Sequence, residues 1–518
     1  MNVSAQQETA VNTVVSNYNA IIGADAGTGK TFTLKQAAAY FFSVIGNKDK
    51  KLLISQFNTK NRIEWQEYAK QIKEYIKKTK GYTPSIESKT YHKMGNDLLG
   101  KSFEKFSQYS DNYEVLNYFQ KSENEISYSS MLFKRYIEFY ESCKGRNITL
   151  KRDIVRHLEN VNALEYLPSD YSLDTFAETL EEIFKFSAKG KKYKSASDMV
   201  FFDLLTKNKK EVIKYDVIFL DEFQDLSLSQ LHIVMEYCHE KTQLIFVGDR
   251  KQQINVFMGS LPFDTLLEKI AEKFPNHNFQ NLQLTESYRN SQRVLDFVNK
   301  KFGTTTKSAN DNNGDVYLES TLDTLYATIE NDTNTAILCL NNEPLQTMYS
   351  ILLAKGYNPI YDGFNVPKDM VYKVLTETQS ETLEDLSEAL ERKFKILFKS
   401  KNLLTTKQIK ELPTYKVLQT IKASLKNFNS LMELKEFFST PTPKDAKNVI
   451  LSTCHKAKGM TYKNVFVLEP SLLTITENMT ADNARQTWCA EYVAYTRPSH
   501  DLHIISEEIF TVYETNDN

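Results

Sequence analysis

Cysteine is scarce in this chain. The five present, Cys143, Cys238, Cys339, Cys454 and Cys489, are scattered over 518 residues with no C-x-x-C pair. That scatter excludes a disulfide framework and offers no zinc or iron–sulfur spacing, and a reducing cytoplasm fits it best. Charge of either sign is not in excess: 64 Lys and Arg balance 66 Asp and Glu, for a formal net charge of −2. A near-neutral chain does not coat nucleic acid by bulk charge, although a local basic groove remains compatible with it. No apolar run is long enough to cross a bilayer, so no membrane partner is expected. The opening residues MNVSAQQETAV lack the basic stretch and apolar run of a signal peptide. There is no short repeat, no low-complexity tail beyond the last polar residues and no cluster among the eight histidines with metal-like spacing.

What is present is the composition of a globular protein of two to four domains, with 41% hydrophobic and 25% charged residues. Short apolar runs alternate with helical stretches. Asn19–Ile22 and Lys51–Ser55 read as strands, each followed by a helix, Lys30 to Val44 and Asn61 to Lys77. Strands return at Val217–Leu220 and Leu244–Val247, and again at Asp315–Leu318, Thr335–Leu340, Val449–Thr453 and Val465–Leu468. This alternation predicts α/β architecture with parallel sheets. Residues 1–98 and 196–280 are expected to form a first α/β domain, interrupted by a helical insertion over 99–195 that is nearly devoid of glycine. Residues 281–375 and 440–518 are expected to form a second, interrupted by a small helical insertion over 376–439.

The segment Gly23-Ala24-Asp25-Ala26-Gly27-Thr28-Gly29-Lys30-Thr31 ends in the G-K-[ST] signature of a phosphate loop and stands between a predicted strand and a predicted helix. Glycines there let backbone N–H groups turn toward phosphates, and the helix N-terminus adds a favourable dipole. Lys30 is expected to neutralise the outer phosphates of ATP and Thr31 to bind Mg²⁺. A chance glycine-rich match is the bland alternative, and the strand–helix context argues against it. Val217-Ile218-Phe219-Leu220-Asp221-Glu222-Phe223-Gln224-Asp225 is an apolar strand ending in carboxylates. Asp221 is expected to hold the metal ion with Thr31, and Glu222 to orient the attacking water.

Together these motifs resemble the UvrD/Rep family of superfamily 1 helicases, and the resemblance runs along nearly the whole chain. It is carried further by Gln7, by Gln56-Phe57-Asn58-Thr59-Lys60 and Thr90-Tyr91-His92, and by Val247-Gly248-Asp249-Arg250-Lys251-Gln252-Gln253-Ile254. Glu286-Ser287-Tyr288-Arg289, His455-Lys456-Ala457-Lys458-Gly459 and Tyr492-Val493-Ala494-Tyr495-Thr496-Arg497 continue it. The resemblance implies two RecA-like motor domains and ATP with Mg²⁺ as cofactors. It implies a nucleotide cradle of Ala26, Gly27, Thr28, Gly29, Lys30, Thr31 and Phe32, with Gln7 and Tyr288 at the adenine and Gly459 nearby. Gln252 is implied as the γ-phosphate sensor, and Arg289 and Arg497 as arginines delivered to the γ-phosphate, the nucleotide lying between the two domains. Phe57, Asn58, Thr90, His92, Phe257 and His455 are implied as DNA contacts. The chain departs from many relatives at Met258 and Phe32, where Arg is usual, and at Thr461, where Glu is usual.

Single-strand binders join a basic groove to aromatic platforms. Phe57, Tyr91 and Phe257 are candidate platforms, and Lys70–Lys80, Lys189–Lys194 and Arg392–Lys410 are candidate stretches of phosphate path. Most of the 31 Phe and 29 Tyr must lie in the core. The expected function is an ATP-driven helicase or translocase on single-stranded DNA and single-strand/duplex junctions, moving 3′ to 5′, with a reduced second insertion. Two alternatives stay open: a DNA-stimulated ATPase subunit serving a nuclease or replication partner, since no nuclease motif is evident here, and a nucleotide-gated DNA-binding module with little turnover.

Overall fold

Runs of apolar residues that carry no polar alternation become strands buried on both faces. The computed structural model describes residues 3–505 apart from 58, 100–104, 107–109, 123–130, 162, 168–170, 188–192, 196, 202–204, 206–209, 255–259, 333, 362–365, 367, 402–408, 410–411, 441–445 and 478. The chain divides into two units, the first comprising Met1–Glu125, Arg135–Tyr288 and Thr480–Gln486, the second Ile126–Lys134, Arg289–Met479 and Thr487–Asn518.

The first unit is built on strands β1 (Asn19–Ala24), β2 (Lys51–Gln56), β3 (Ser85–Thr90), β4 (Tyr215–Asp221), β5 (Cys238–Gly248) and β6 (Phe279–Leu284). They pair in the order β3-β2-β4-β5-β1-β6, all parallel. One face is covered by α1 (Ala5–Val15), α2 (Lys30–Ser43) and α3 (Thr59–Lys80), which bury Val11, Phe41, Trp65 and Ile72 against Ile22, Ile54 and Phe219. The chain passes through α4 (Tyr91–Leu98) into α5 (Ser110–Lys121), α6 (Met131–Arg146), α7 (Lys151–Asn160) and α8 (Leu173–Ser187). It returns to the sheet with α9 (Leu228–Glu236) and α10 (Phe263–Lys273). Helices α4, α9 and α10 close the second face with Met94, Leu231 and Ile270 against Leu53, Leu220 and Phe246.

The second unit repeats the plan. Strands β7 (Val316–Ser320), β8 (Thr335–Cys339), β9 (Asn358–Tyr361), β10 (Asn448–Thr453), β11 (Asn464–Val467) and β12 (Leu502–Ile505) pair in parallel in the order β7-β12-β11-β8-β10-β9. Its helices are α11 (Gln292–Phe302), α12 (Leu322–Asn331), α13 (Asn342–Ala354), α14 (Lys368–Glu377), α15 (Leu383–Ser400), α16 (Pro413–Ser424), α17 (Leu431–Ser439) and, from Thr487 on, α18 (Ala481–Tyr495), whose first residues up to Gln486 belong to the first unit. Helices α14 to α17 share one apolar cluster with α12, α13 and the sheet, through Leu375, Leu390, Ile421 and Leu434 against Leu345, Ile337 and Leu451. No described helix is long and apolar enough to cross a membrane.

Four of the twelve strands in the two six-stranded sheets lie outside those that hydropathy predicts. Strands β3, β6 and β9 are sheet edges, and an edge strand with one wet face carries polar residues in place of an apolar run: SIESKT, FQNLQL and NPIY. Strand β12, LHII, is interior and wholly buried, but its four residues are too few to register as a run.

Candidate functional site

The nucleotide-like cradle begins where β1 ends. Helix α2 has no side-chain N-cap; Gly29 stands in that place at φ +80° and Gly27 adopts φ +77°. Both angles suit glycine because no Cβ meets the following carbonyl. A Cβ on Gly29 would come within 2.8 Å of Gln7 Nε2. The N-terminal helix is tied to the loop, since Gln7 caps α1 with Ser4 and also donates its amide to the Thr28 carbonyl at 3.1 Å. The Tyr288 N–H donates to the Gly27 carbonyl at 2.9 Å, and the residue is 43% exposed. Gln7 and Tyr288 therefore flank the loop, and the Tyr288 ring is open to a planar ligand. Ala26 and Thr28 are buried, and Phe32 is half-buried on the first turn of α2.

The carboxylates of β4 reach the same place. Thr31 Oγ1 donates to Asp221 Oδ2 at 3.2 Å, and Lys30 Nζ stands 3.6 Å from Glu222 Oε1. Burial, reinforced by the Glu222 charge, pushes the Asp221 carboxyl up to about 6, against the opposing pull of Lys30. Glu222 itself occupies the left-handed region at φ 54°, uncommon for a residue with a side chain. Burial likewise raises the carboxyl of Asp249. A hydroxyl, two carboxylates and an ammonium so placed are groups that could hold a polyphosphate with a divalent cation.

Two residues without an assigned role in the sequence reading connect this site internally. Gln224 donates to Glu222 Oε2 at 2.6 Å while its carbonyl oxygen accepts the Asp249 N–H at 3.1 Å. Asp249 Oδ2 in turn accepts from the Gln252 amide at 2.7 Å. The tips of β4 and β5 are thus linked from Glu222 to Gln252, and Gly248 permits it, because a Cβ there would meet Gln224 Oε1 at 2.3 Å. Lys251 adds an ion pair to Asp25 at 2.8 Å. Gln56, on the neighbouring strand, makes no such connection among the described residues. It ends β2 one position beyond the Ser55–Leu220 register pair, on the Asp221 side, fully buried with neither amide atom hydrogen-bonded among the described residues.

The UvrD/REP helicase N-terminal domain model matches residues 3–275. The chain belongs to the UvrD/Rep helicase family. It is 24% identical over 295 residues to a probable DNA helicase II homolog of Mycoplasma pneumoniae, covering 55% of this chain and 40% of that protein. It is 21% identical over 315 residues to the ATP-dependent DNA helicase Rep of Buchnera aphidicola, covering 58% of this chain and 45% of that one. A third relative, RecBCD enzyme subunit RecB of another Buchnera aphidicola, is 27% identical over 194 residues, 36% of this chain and 15% of that protein. The chain spans less than half the length of these relatives.

The remaining candidate residues of this UvrD/Rep chain differ in setting. Thr90 caps α4, its hydroxyl accepting the Lys93 N–H at 3.2 Å, and burial lowers the imidazole of His92. Phe57 is half-buried against the second face of the sheet. Tyr91 is not a stacking platform: it is 1% exposed, its hydroxyl 3.1 Å from Ser55 Oγ, because the α4 face it occupies points into the core. Asn58, Phe257 and Met258 lie outside the described residues, as do parts of the Lys189–Lys194 and Arg392–Lys410 stretches. The second unit carries His455, whose imidazole burial and Lys458 lower, and Gly459 at φ +80°. Thr461, the departure from the family pattern, is exposed. Arg289 and Arg497 meet around one residue there. Arg289 Nη1 donates to the Thr496 carbonyl at 3.1 Å, and Arg497 Nη2 donates to Thr496 Oγ1 at 3.0 Å. Arg497 is 1% exposed and also donates to the carbonyls of Val493 at 2.9 Å and Met460 at 3.2 Å.

Proposed function

We propose that this chain hydrolyses ATP with Mg²⁺ to move along single-stranded DNA in the 3′-to-5′ direction, separating strands at single-strand/duplex junctions. One observation carries the reading: Thr31 on Asp221 at 3.2 Å and Lys30 beside Glu222 at 3.6 Å, at the mouth of a loop with two positive-φ glycines. Family membership supports it, and the activity printed for two relatives, DNA helicase, agrees with it.

The donor set fits a magnesium nucleotide. Thr31 and Asp221 would hold Mg²⁺, which when bound draws negative charge from the terminal phosphate oxygens. Lys30 neutralises the outer phosphates. Glu222, kept in place by Gln224, aligns a water and accepts its proton at a carboxylate oxygen. Gln252 sits at the far end of the same hydrogen-bond chain, where a change at the γ-phosphate reaches Glu222 through Asp249 and Gln224. Arg289 and Arg497 are assigned to the γ-phosphate by family resemblance, and Gln7 and Tyr288 to the adenine. Phe57, Thr90, His92 and His455 are assigned to the DNA strand on the same ground.

A second reading, an ATPase subunit working with a nuclease or replication partner, is favoured by the similarity to RecB, a subunit of the RecBCD enzyme. Duplexes with 3′ tails and with 5′ tails separate the readings. ATP-dependent displacement from the 3′-tailed duplex alone supports the first. ATP turnover raised by single strands without displacement favours the second, and no turnover in the presence of DNA refutes both.

A further inference from the structure

Helix α3 places Arg62, Gln66, Ala69 and Lys73 at spacings of four, three and four residues, so they form one stripe along its length. That stripe faces edge strand β3, and together they enclose a cavity of about 630 Å³. Its buried lining is Ala69, Ile86 and Ser88. Ala69 is 5% exposed, and beside it Ser88 is 8% exposed with a hydroxyl that no described residue partners. A buried hydroxyl without a partner is destabilising, and a ligand that accepts from it removes that cost. The helix side of the cavity contributes two cations and no carboxylate. Opposite the helix, Glu87, Lys89 and the α4 residue Lys93 also line it, the two lysines paired with Glu87 and Asp97 at 2.8–3.3 Å. Thr90, assigned above to the DNA strand, lines the same cavity.

We propose that this trough between α3 and β3 binds backbone phosphates of the single strand, extending the DNA contact beyond Thr90 along the outer edge of the first sheet. Arg62 and Lys73 grip at the two ends of the stripe, about 16 Å apart at the helical rise, and Ser88 donates from the floor. The trough offers no unpaired aromatic wall, so it takes charge without reading sequence. The inference rests on the proposed DNA-translocating function and names a further part of its track.

The test is equilibrium binding of a fluorescent oligothymidylate by the full chain over a series of salt concentrations, for the parent protein, R62A/K73A and R62K/K73R. Each single-strand phosphate contact contributes about −0.7 to the slope of log K against log salt, so R62A/K73A is expected to bind more weakly with a slope shallower by about 1.4. R62K/K73R, which keeps the charge, retains most of the parent slope. Thermal melting of all three separates lost contacts from lost fold. Parent-like affinity and slope in a folded R62A/K73A, with the parent binding DNA normally, overturns the trough alone. Failure of the parent itself to bind the oligonucleotide overturns the functional reading with it. Stabilisation of the parent by pyrophosphate that R62A/K73A loses, with unchanged DNA slopes, assigns the trough to free anions and also overturns the proposal.

Discussion

Lys144 is 1% exposed and sits among three carboxylates: Asp111, Asp198 at 2.8 Å and Glu114 at 3.5 Å. Its ammonium also lies 4.4 Å from the centre of the Tyr140 ring. At an effective dielectric of about 20, an ion pair at this range has a gross attraction of roughly 5–6 kcal/mol, most of it offset by the desolvation of both ions. Lys144→Met removes the only cation of the cluster among the described residues and leaves three acids, two of them almost wholly buried. The expected loss is about 3–5 kcal/mol at neutral pH, the usual cost of stranding buried charge. Urea unfolding at neutral pH reads that loss as a midpoint below that of the parent. Hydrogen exchange should locate the loosening in α5, α6 and the Asp198–Val200 turn, whose Asp198 also accepts the Ser195 N–H at 2.7 Å. A parent-like midpoint at neutral pH refutes the argument.

Lys30→Ala and Glu222→Gln are each expected to lower DNA-stimulated ATP turnover at least about 100-fold, with Glu222→Gln retaining nucleotide binding in an equilibrium assay. Chelation of divalent cations should abolish turnover, and Mg²⁺ should restore it. Gly95→Ala would place a Cβ 1.6 Å from the Met199 carbonyl oxygen, a backbone atom, so a fall in stability of about 2 kcal/mol or more is expected in urea unfolding. Burial, then Arg146, pushes His157 down to about 3, its Nε2 lying 2.9 Å from Ser142 Oγ. The unfolded chain takes up this proton first, so the contribution is present above about pH 6.5 and is lost as pH falls toward 3. A loss of about 2 kcal/mol by pH 5 is expected, and His157→Gln should not show it.

The interior strands were legible because β2, β4, β5, β8 and β10 are runs of apolar residues, and a strand buried on both faces must be. The edges were not, because SIESKT and FQNLQL satisfy a half-wet surface with residues that also suit loops. Tyr91 shows the same limit inside a motif. Its neighbours Thr90 and His92 are partly exposed, while the turn of α4 carries Tyr91 inward onto Ser55.

By itself the order of residues determined the phosphate loop and the acid-ended strand, because each is a local device: a few adjacent residues set the glycine turn, the helix start and the strand end. It also determined two parallel sheets, through the repeated passage from apolar run to helix. Only the tertiary structure decided that Gln224 and Asp249 join Glu222 to Gln252, that Lys144 gathers acids from α5 and the Asp198–Val200 turn, and that the α3 stripe closes over Ser88. Those contacts join segments far apart in the chain. Packing of helices on a sheet chooses which side chains meet, and no local pattern encodes that choice.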